Sequence, residues 1–276
     1  MKTAIVTDST SDIPENIAEK YNISIIPAIL VVNGKSYKDG EGITRKQFYE
    51  ELPHLTIPPT TATPPLNAFQ DVYETLLSSG YTNIISVHVA KSLSGIYNTA
   101  LLAARTFNNK IHVIDSEQIS LGLGFQAIIA AEQAIQGIQV NPILDKISTI
   151  QSKIRVFAML DTVDYLRRSG RVSWAKARIS SLLRIKPFIE LRKGFVYNVG
   201  QVRTRRKGII RLKSMLDKLG AIERLAVLHS NAESDALGFA SDLVNTVSSH
   251  PIIVNVTTIL GTHVGPNGLG FATVLA

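Results

Sequence analysis

The feature that most constrains the fold is an alternation of short β-rich runs with amphipathic helical segments. Residues 66–80 illustrate the helical kind, since apolar side chains recur along one stripe until Gly80 ends it. The β-rich runs are bounded by turn-forming residues and are "TAIVTD" (3–8), "ISIIPAILVV" (23–32), "NIISVHVA" (83–90), "IHVIDS" (111–116) and "RVFAMLD" (155–161). This order predicts an α/β fold with a mainly parallel sheet covered by helices.

The pattern changes after about residue 155. The segment "PFIELRKGFVYNVG" (187–200) predicts a β-hairpin, and a helix is expected from about Thr204 to Leu219. Three late strands are predicted at 224–230, 252–260 and 269–276. We therefore expect two α/β domains, residues 1–152 and residues 153–276, the second with a mixed sheet.

Composition excludes several classes of site. The 276 residues are enough to bury a full core without a metal or a disulfide. The absence of cysteine excludes thiolate zinc sites and thiol nucleophiles, and the six histidines include no pair at helical ligand spacing, so no metal site is expected. The first residues lack the apolar core of a signal peptide and no apolar run reaches the roughly 18 residues of a membrane helix. The sequence therefore predicts a cytoplasmic protein without stable membrane insertion.

Positive charge is concentrated in one part of the chain. Residues 151–220 carry 18 Lys and Arg against four acids, although the net charge of the whole chain is only +7. This asymmetry indicates either a face that meets an anionic partner or an ordinary solvated surface. A nucleic-acid-binding function stays open as a minor alternative, because aromatic residues for stacking are sparse there, with Tyr165, Trp174 and Tyr197 the chief candidates.

Three segments resemble familiar motifs. "NGKS" (33–36) lacks the first glycine of a phosphate-binding loop, so an Asn-Gly hairpin turn is the better interpretation. "GLGFQA" (122–127) fits the dinucleotide-binding pattern, but no acidic strand end follows at the right distance. In "DSTSDIPENI" (8–17), Asp12 and Glu15 have the spacing of a helix capping box. None of these predicts a cofactor.

The segment "SLSG" (92–95) leaves a predicted strand and opens a predicted helix. Free backbone N–H groups and the positive end of the helix dipole meet serine hydroxyls there, which suits a carboxylate or a phosphate. Ser94 could equally be only a helix cap. A nucleophile is the third alternative, but that motif needs a glycine where Ser92 stands. The residues alone leave all three open.

Other polar residues collect where predicted strands end, the edge at which open α/β sheets bind ligands. Ser9 follows the first strand, His229 and Ser230 end a later one, and Thr262 and His263 follow the next. The prolines of "IPPTTATPP" (57–65) would hold a threonine hydroxyl in a fixed place. His263 lies among glycines in "GTHVGPNGLG" (261–270) and, taken alone, is most simply a loop residue.

Taken together, six segments resemble the DegV family of bacterial fatty-acid-binding proteins, in the family's order along essentially the whole chain. They are "VTDSTSDIP" (6–14), "TTATPP" (60–65), "SLSGIYNTA" (92–100), "DYLRRSGRVS" (164–173), "VRTRRKG" (202–208) and "GTHVGPNGLG" (261–270). The resemblance implies a two-domain α/β fold with one long-chain fatty acid at the domain junction. It also implies a carrier without its own catalysis, which presents the acid to a separate fatty acid kinase that makes an acyl phosphate for phospholipid synthesis.

The resemblance assigns roles to particular residues. The fatty acid carboxylate would be bound by Thr61, Ser94, Gly95 and His263. Two hydroxyls and an imidazole could supply the hydrogen bonds that a carboxylate needs when it is buried. Further contacts are expected from Ser9, Thr262 and Gly265, and docking of the kinase from Arg171 and Arg203. The family's usual serine and glutamine before Pro64 are here Ala62 and Thr63, which bears on acyl-chain preference. An acyl hydrolase using Ser94 and His263 is the main alternative.

Overall fold

The computed structural model describes residues 2–172, 175, 185–243 and 251–276. Its strands are β1 (Thr3–Asp8), β2 (Ile23–Ile26), β3 (Ile29–Val32), β4 (Lys35–Lys38), β5 (Thr60–Ala62), β6 (Asn83–His88), β7 (Ile111–Asp115), β8 (Ile154–Met159), β9 (Lys186–Arg192), β10 (Phe195–Val202), β11 (Ile222–Ser230), β12 (Ile252–Asn255) and β13 (Gly268–Leu275). Its helices are α1 (Glu15–Lys20), α2 (Arg45–Glu51), α3 (Leu66–Ser78), α4 (Ile96–Ala104), α5 (Leu121–Ile135), α6 (Val140–Gln151), α7 (Asp164–Ser169), α8 (Arg205–Asp217), α9 (Glu233–Ser241) and α10 (Thr258–Val264).

The strands form three sheets. The first is fully parallel with the order β2-β1-β6-β7, which confirms the predicted parallel sheet. The second has six strands in the order β10-β9-β8-β13-β11-β12 and is mixed, because only β11 and β12 pair in parallel. A small antiparallel sheet, β4-β3-β5, completes the set. The α/β class with one parallel and one mixed sheet is thus confirmed.

Two tight turns are as predicted. Asn33 and Gly34 both have positive φ between β3 and β4, the backbone of a two-residue hairpin turn. Lys193 and Gly194 do the same between β9 and β10. The hairpin interpretation of both segments is therefore confirmed.

Three local predictions are wrong. The run 23–32 is not one strand, because Pro27 cannot donate to the parallel ladder and the chain leaves β2 to begin β3 in the small sheet. The run 252–260 is a strand only to Asn255, and α10 follows from Thr258. The capping box also fails, since the N-cap of α1 is Pro14 and Asp12 has a left-handed backbone with φ 53°.

Asp12 instead accounts for the change from strand to helix near residue 257. Its Oδ1 accepts the backbone N–H of Thr257 at 2.7 Å, and its Oδ2 accepts the Ser120 hydroxyl at 2.5 Å. Asp39 accepts the Thr258 hydroxyl at 2.7 Å. Two carboxylates from the first half of the chain thus hold the N-terminus of α10, where negative groups are favourable. Long-range contacts override the β-propensity of this segment.

Helix α5 contacts both large sheets, and its residues from Leu121 to Ala131 are all buried. Gly122 and Gly124 lie inside this helix, where a Cβ would collide with Val156 or approach the Ser11 carbonyl oxygen to 2.7 Å. They serve close packing rather than a phosphate-binding turn. The predicted domain boundary near residue 152 falls between the strands of the two large sheets, but one hydrophobic core includes residues from both, so the boundary stays a prediction.

Candidate functional site

A cavity of about 730 Å³ lies between the ends of the parallel sheet, the small sheet and the face of the six-stranded sheet. This volume is in the usual range for small-molecule sites. Much of its wall is apolar and comes from both halves of the chain, including Val89, Ile96, Val156, Leu160, Ile189, Leu191, Leu228, Ile259 and Leu269. The cavity can therefore bury an extended apolar ligand, and polar contacts must come from a few positions.

Thr61 and His263 form one of these polar positions. Thr61 lies in β5, and His263 lies in the last turn of α10 rather than in the expected loop. The Thr61 hydroxyl and His263 Nε2 are 3.1 Å apart, within hydrogen-bond distance. The other ring nitrogen, Nδ1, is buried and makes no hydrogen bond to any residue that the structure describes. The pair therefore has unused hydrogen-bonding capacity beside the cavity.

The electrostatics around His263 favour an anion. Burial, together with the nearby positive charge of Arg171, lowers the pKa of its imidazole to about 4. The ring is consequently neutral near pH 7. Arg171 is exposed, lines the same cavity and places its positive charge close to the histidine. A carboxylate here would meet a neutral imidazole and a cation, with no acidic side chain on the cavity wall among the described residues.

Ser94 lines the same cavity and lies just before α4. Its hydroxyl oxygen accepts the backbone N–H of Ile96 at 3.3 Å, a contact typical of a capping role, while Gly95 takes the N-cap position and also lines the cavity. As the hydroxyl acts only as an acceptor there, its proton is left for a ligand. The capping and anion-binding interpretations are therefore compatible.

Thr61, Ser94, Gly95, His263 and Arg171 all line this one cavity. The remaining candidate residues lie elsewhere, as follows. The Ser9 hydroxyl accepts the Ala28 N–H at 3.1 Å. The Thr262 hydroxyl donates to the Thr258 carbonyl at 2.9 Å, and Thr262 lines a separate cavity of about 280 Å³. Gly265 has φ 74° and packs against Tyr165, and Arg203 is exposed after β10. Trp174 is outside the described residues.

The candidate site residues did not include four polar residues that line the cavity and are themselves buried, which we call its inner wall: Thr10, Ser120, His229 and Ser230. His229 and Ser230 were singled out by their position at the end of strand β11, but no role was assigned to them. Thr10 and Ser120 gave no sign of a place in the cavity, because the hydroxyl of Thr10 bonds locally to Asp8 and that of Ser120 to the distant Asp12.

A second group of polar residues, close by in the first sheet, looks catalytic but is closed. His88 Nδ1 is 3.0 Å from Asp8 Oδ2, His88 Nε2 is 2.7 Å from Ser86 Oγ, and Ser86 Oγ is 2.9 Å from the Tyr73 hydroxyl. All four residues are completely buried. Because the chain of hydrogen bonds is complete and out of reach of any ligand, it is structural despite its Ser-His-Asp composition.

Among the described residues, no group of three or more His, Cys, Asp or Glu side chains is arranged to hold a metal ion. Within the same residues, no helix has the length and apolar character required to cross a membrane.

Comparison with known proteins places the chain in a family. A family model described as "Uncharacterised protein, DegV family" matches residues 2–275. The chain belongs to the DegV family. The protein DegV of Bacillus subtilis is 33% identical to it over 277 residues, which cover 98% of each protein. The resemblance found in the sequence motifs is thus confirmed.

Solved structures of the DegV family share the whole fold. A structure described as a fatty-acid-binding DegV family protein from Thermus thermophilus superposes with a TM-score of 0.93 at 25% identity and covers 100% of both chains. The Bacillus subtilis protein, described as "DegV, a fatty acid binding protein", gives a TM-score of 0.89 at 31% identity, also over 100% of both chains. These two descriptions state what the relatives bind.

Proposed function

We propose that this protein binds one long-chain fatty acid in the large cavity and serves as a carrier. The observation that carries the proposal is that the hydrogen-bonded pair Thr61 and His263 lines the same largely apolar cavity as Ser94. The two solved relatives described as fatty-acid-binding support it. The carboxylate would bind at Thr61, Ser94, Gly95 and His263, and the tail would extend along the apolar wall.

The tail and the head group contribute differently to the free energy of binding. Burying a tail of about 16 carbons at roughly 0.8 kcal/mol per CH₂ contributes on the order of 11 kcal/mol before ordering costs. A hydrogen bond to the carboxylate adds about 1.5–3 kcal/mol. The tail therefore provides most of the affinity, and the polar wall fixes which end of the acid is presented.

The hydrolase alternative fits the geometry less well. A serine hydrolase needs its serine hydrogen-bonded to the histidine, which a carboxylate orients in turn. Here Ser94 bonds to the Ile96 N–H and His263 Nε2 to Thr61. His263 Nδ1 has no carboxylate partner among the described residues. This arrangement favours binding of an acid over hydrolysis of an ester.

We expect the protein purified from a bacterial host to contain about one fatty acid per chain. Denaturing extraction followed by mass spectrometry measures this, and delipidated protein should take up added oleic acid. The variant Ser94→Ala should keep its fold and bind more weakly, since only one hydrogen bond is lost. Protein without stoichiometric lipid that also takes up none would contradict the proposal. Ester hydrolysis abolished in Ser94→Ala would favour the hydrolase.

We further propose that the carrier works in the cytoplasm and presents the carboxylate to an ATP-dependent fatty acid kinase, which docks on the basic face near Arg171 and Arg203. Both side chains are exposed, and arginine binds phosphates and carboxylates bidentately. Arg171→Glu, and to a lesser degree Arg203→Glu, should slow acyl phosphate formation, more so at low salt. Lipid content should not change in Arg203→Glu, whereas in Arg171→Glu it should fall, because Arg171 lines the cavity beside His263 and a glutamate there would repel the fatty acid carboxylate.

Arg105→Glu is the matched control, because Arg105 is an exposed arginine at the end of α4 in the other half of the chain. Loss of lipid together with turnover in Arg203→Glu would place Arg203 in the binding site rather than at a docking surface. Tight, salt-dependent binding of DNA or RNA that the same variants abolish would favour the nucleic-acid alternative.

A further inference from the structure

The cavity contains a second polar position that the carboxylate site does not use. His229 is the eighth residue of β11 and lines the inner wall of the cavity together with Ser230. Its side chain is buried, and its backbone carbonyl accepts the N–H of Val256 at 2.7 Å. Val256 comes just before Thr257, the N-cap of α10, and His263 lies in the last turn of that helix, so most of the length of α10 separates the two positions.

Backbone geometry determines which nitrogen of His229 carries the proton. The N–H of Ala232 donates to His229 Nδ1 at 3.2 Å, so Nδ1 is an acceptor and has no proton. The proton of the neutral ring must then be on Nε2. Burial lowers the pKa of His229, which agrees with a neutral ring near pH 7. His229 therefore has a single N–H donor at Nε2.

This donor differs from its polar neighbours on the inner wall. The Thr10 hydroxyl donates to Asp8 at 2.5 Å, the Ser120 hydroxyl to Asp12 at 2.5 Å, and the Ser230 hydroxyl to the Gly265 carbonyl at 2.6 Å. His229 Nε2–H donates to no residue in the described ranges 2–172, 175, 185–243 and 251–276, and it is not among their fully enclosed polar atoms. It is thus the unused donor of that wall.

An unused donor within an apolar cavity is costly when a plain hydrocarbon chain covers it, because the water it held is lost without replacement. An oxygen on the ligand removes this cost. Given the proposed function, on which this step rests and which places the carboxylate at His263, we infer that His229 donates a hydrogen bond to an oxygen in the middle of the acyl chain. The ligand class is therefore hydroxy or keto long-chain fatty acids, bound in preference to unsubstituted ones.

The test compares ricinoleic acid with oleic acid, which share chain length and double bond and differ by one mid-chain hydroxyl. Competition binding to the delipidated protein should favour ricinoleic acid by about tenfold, as one well-placed hydrogen bond to a donor otherwise left unpaired can provide. His229→Phe keeps a ring and removes the donor, so the preference should disappear. His229→Gln keeps an N–H donor and should retain part of it.

His112→Phe is the matched control, since His112 lies in β7 outside the cavity wall and should leave the preference intact. A series of hydroxystearic acids with the hydroxyl moved along the chain locates the contact, and affinity should peak at one mid-chain position. Equal affinity for ricinoleic and oleic acid in the natural sequence, or a preference that persists in His229→Phe, would overturn the inference while the proposed function stands. Failure to bind either acid would instead contradict the proposed function.

Discussion

Two histidines in this protein, His88 and His263, differ in how completely their ring nitrogens are hydrogen-bonded. His88 has both ring nitrogens within 3.0 Å of partners, Asp8 on one side and Ser86 on the other, in a fully buried chain. His263 has Thr61 at one nitrogen and no described partner at the other. A complete set of hydrogen bonds stabilises a fold and has nothing left for a ligand, whereas an incomplete set beside a cavity can bind one. The residue types in a cluster do not distinguish the two cases. What distinguishes them is whether every hydrogen-bonding group in the cluster has a partner.

Among the changes that distinguish the surroundings of His88 from those of His263, Asp8→Ala should have the largest effect. Asp8 accepts hydrogen bonds from the Thr10 N–H and hydroxyl, the Val89 N–H and His88 Nδ1. Their removal leaves several buried donors unpaired, so we expect the free energy of unfolding to fall by about 4 kcal/mol. Urea denaturation measures the loss. A change below about 1 kcal/mol would show that the buried chain is not the structural element described here.

The second prediction concerns His263→Phe, which should act on binding rather than on folding. Its imidazole makes one hydrogen bond, to Thr61, so the free energy of unfolding should change by less than about 1.5 kcal/mol. Affinity for oleic acid should fall about 10- to 100-fold, the worth of a hydrogen bond to a charged group. Fluorescent fatty acid displacement measures it. Unchanged affinity in His263→Phe would move the carboxylate elsewhere in the cavity.

Local sequence rules predicted what local interactions decide. The Asn33-Gly34 turn, the β9–β10 hairpin and the parallel sheet follow from turn residues and from the period of apolar residues, and all three are confirmed. The rules failed near Thr257, where a β-rich run becomes α10 because Asp12, 245 positions away in the chain, accepts its N–H. No pattern within a short window contains that contact.

The candidate site shows the same limit. Motifs identified Thr61, Ser94 and His263, but only the fold brings residues 202 positions apart to 3.1 Å. His229 was noted at a strand end but received no role, because that role depends on the Ala232 N–H that occupies Nδ1, and hydrogen-bond satisfaction is a property of the folded chain. Ser9 and Thr262 were suggested by position at strand ends, yet their hydroxyls bond to backbone groups of Ala28 and Thr258.

The smallest expected effect is a pH dependence that tests the open state of His263. Since burial holds its pKa at about 4, below the ordinary 6.5, the unfolded chain binds the proton more readily between these values. This histidine therefore lowers the free energy of unfolding as pH falls from about 6.5 to about 4, and His263→Phe should lose less stability on acidification.

Asp12 gives the opposite sign, because burial raises its pKa to about 6 and the folded chain keeps the proton. Its contribution is lost as pH rises from about 4 to about 6, so Asp12→Asn should lose more stability on acidification than the natural sequence. Urea denaturation at about pH 4.5 and about pH 7 measures both variants against the natural sequence. Deviations of the same sign in the two variants would show that His263 is paired with an acid, like His88, and would remove the contrast between the two histidines.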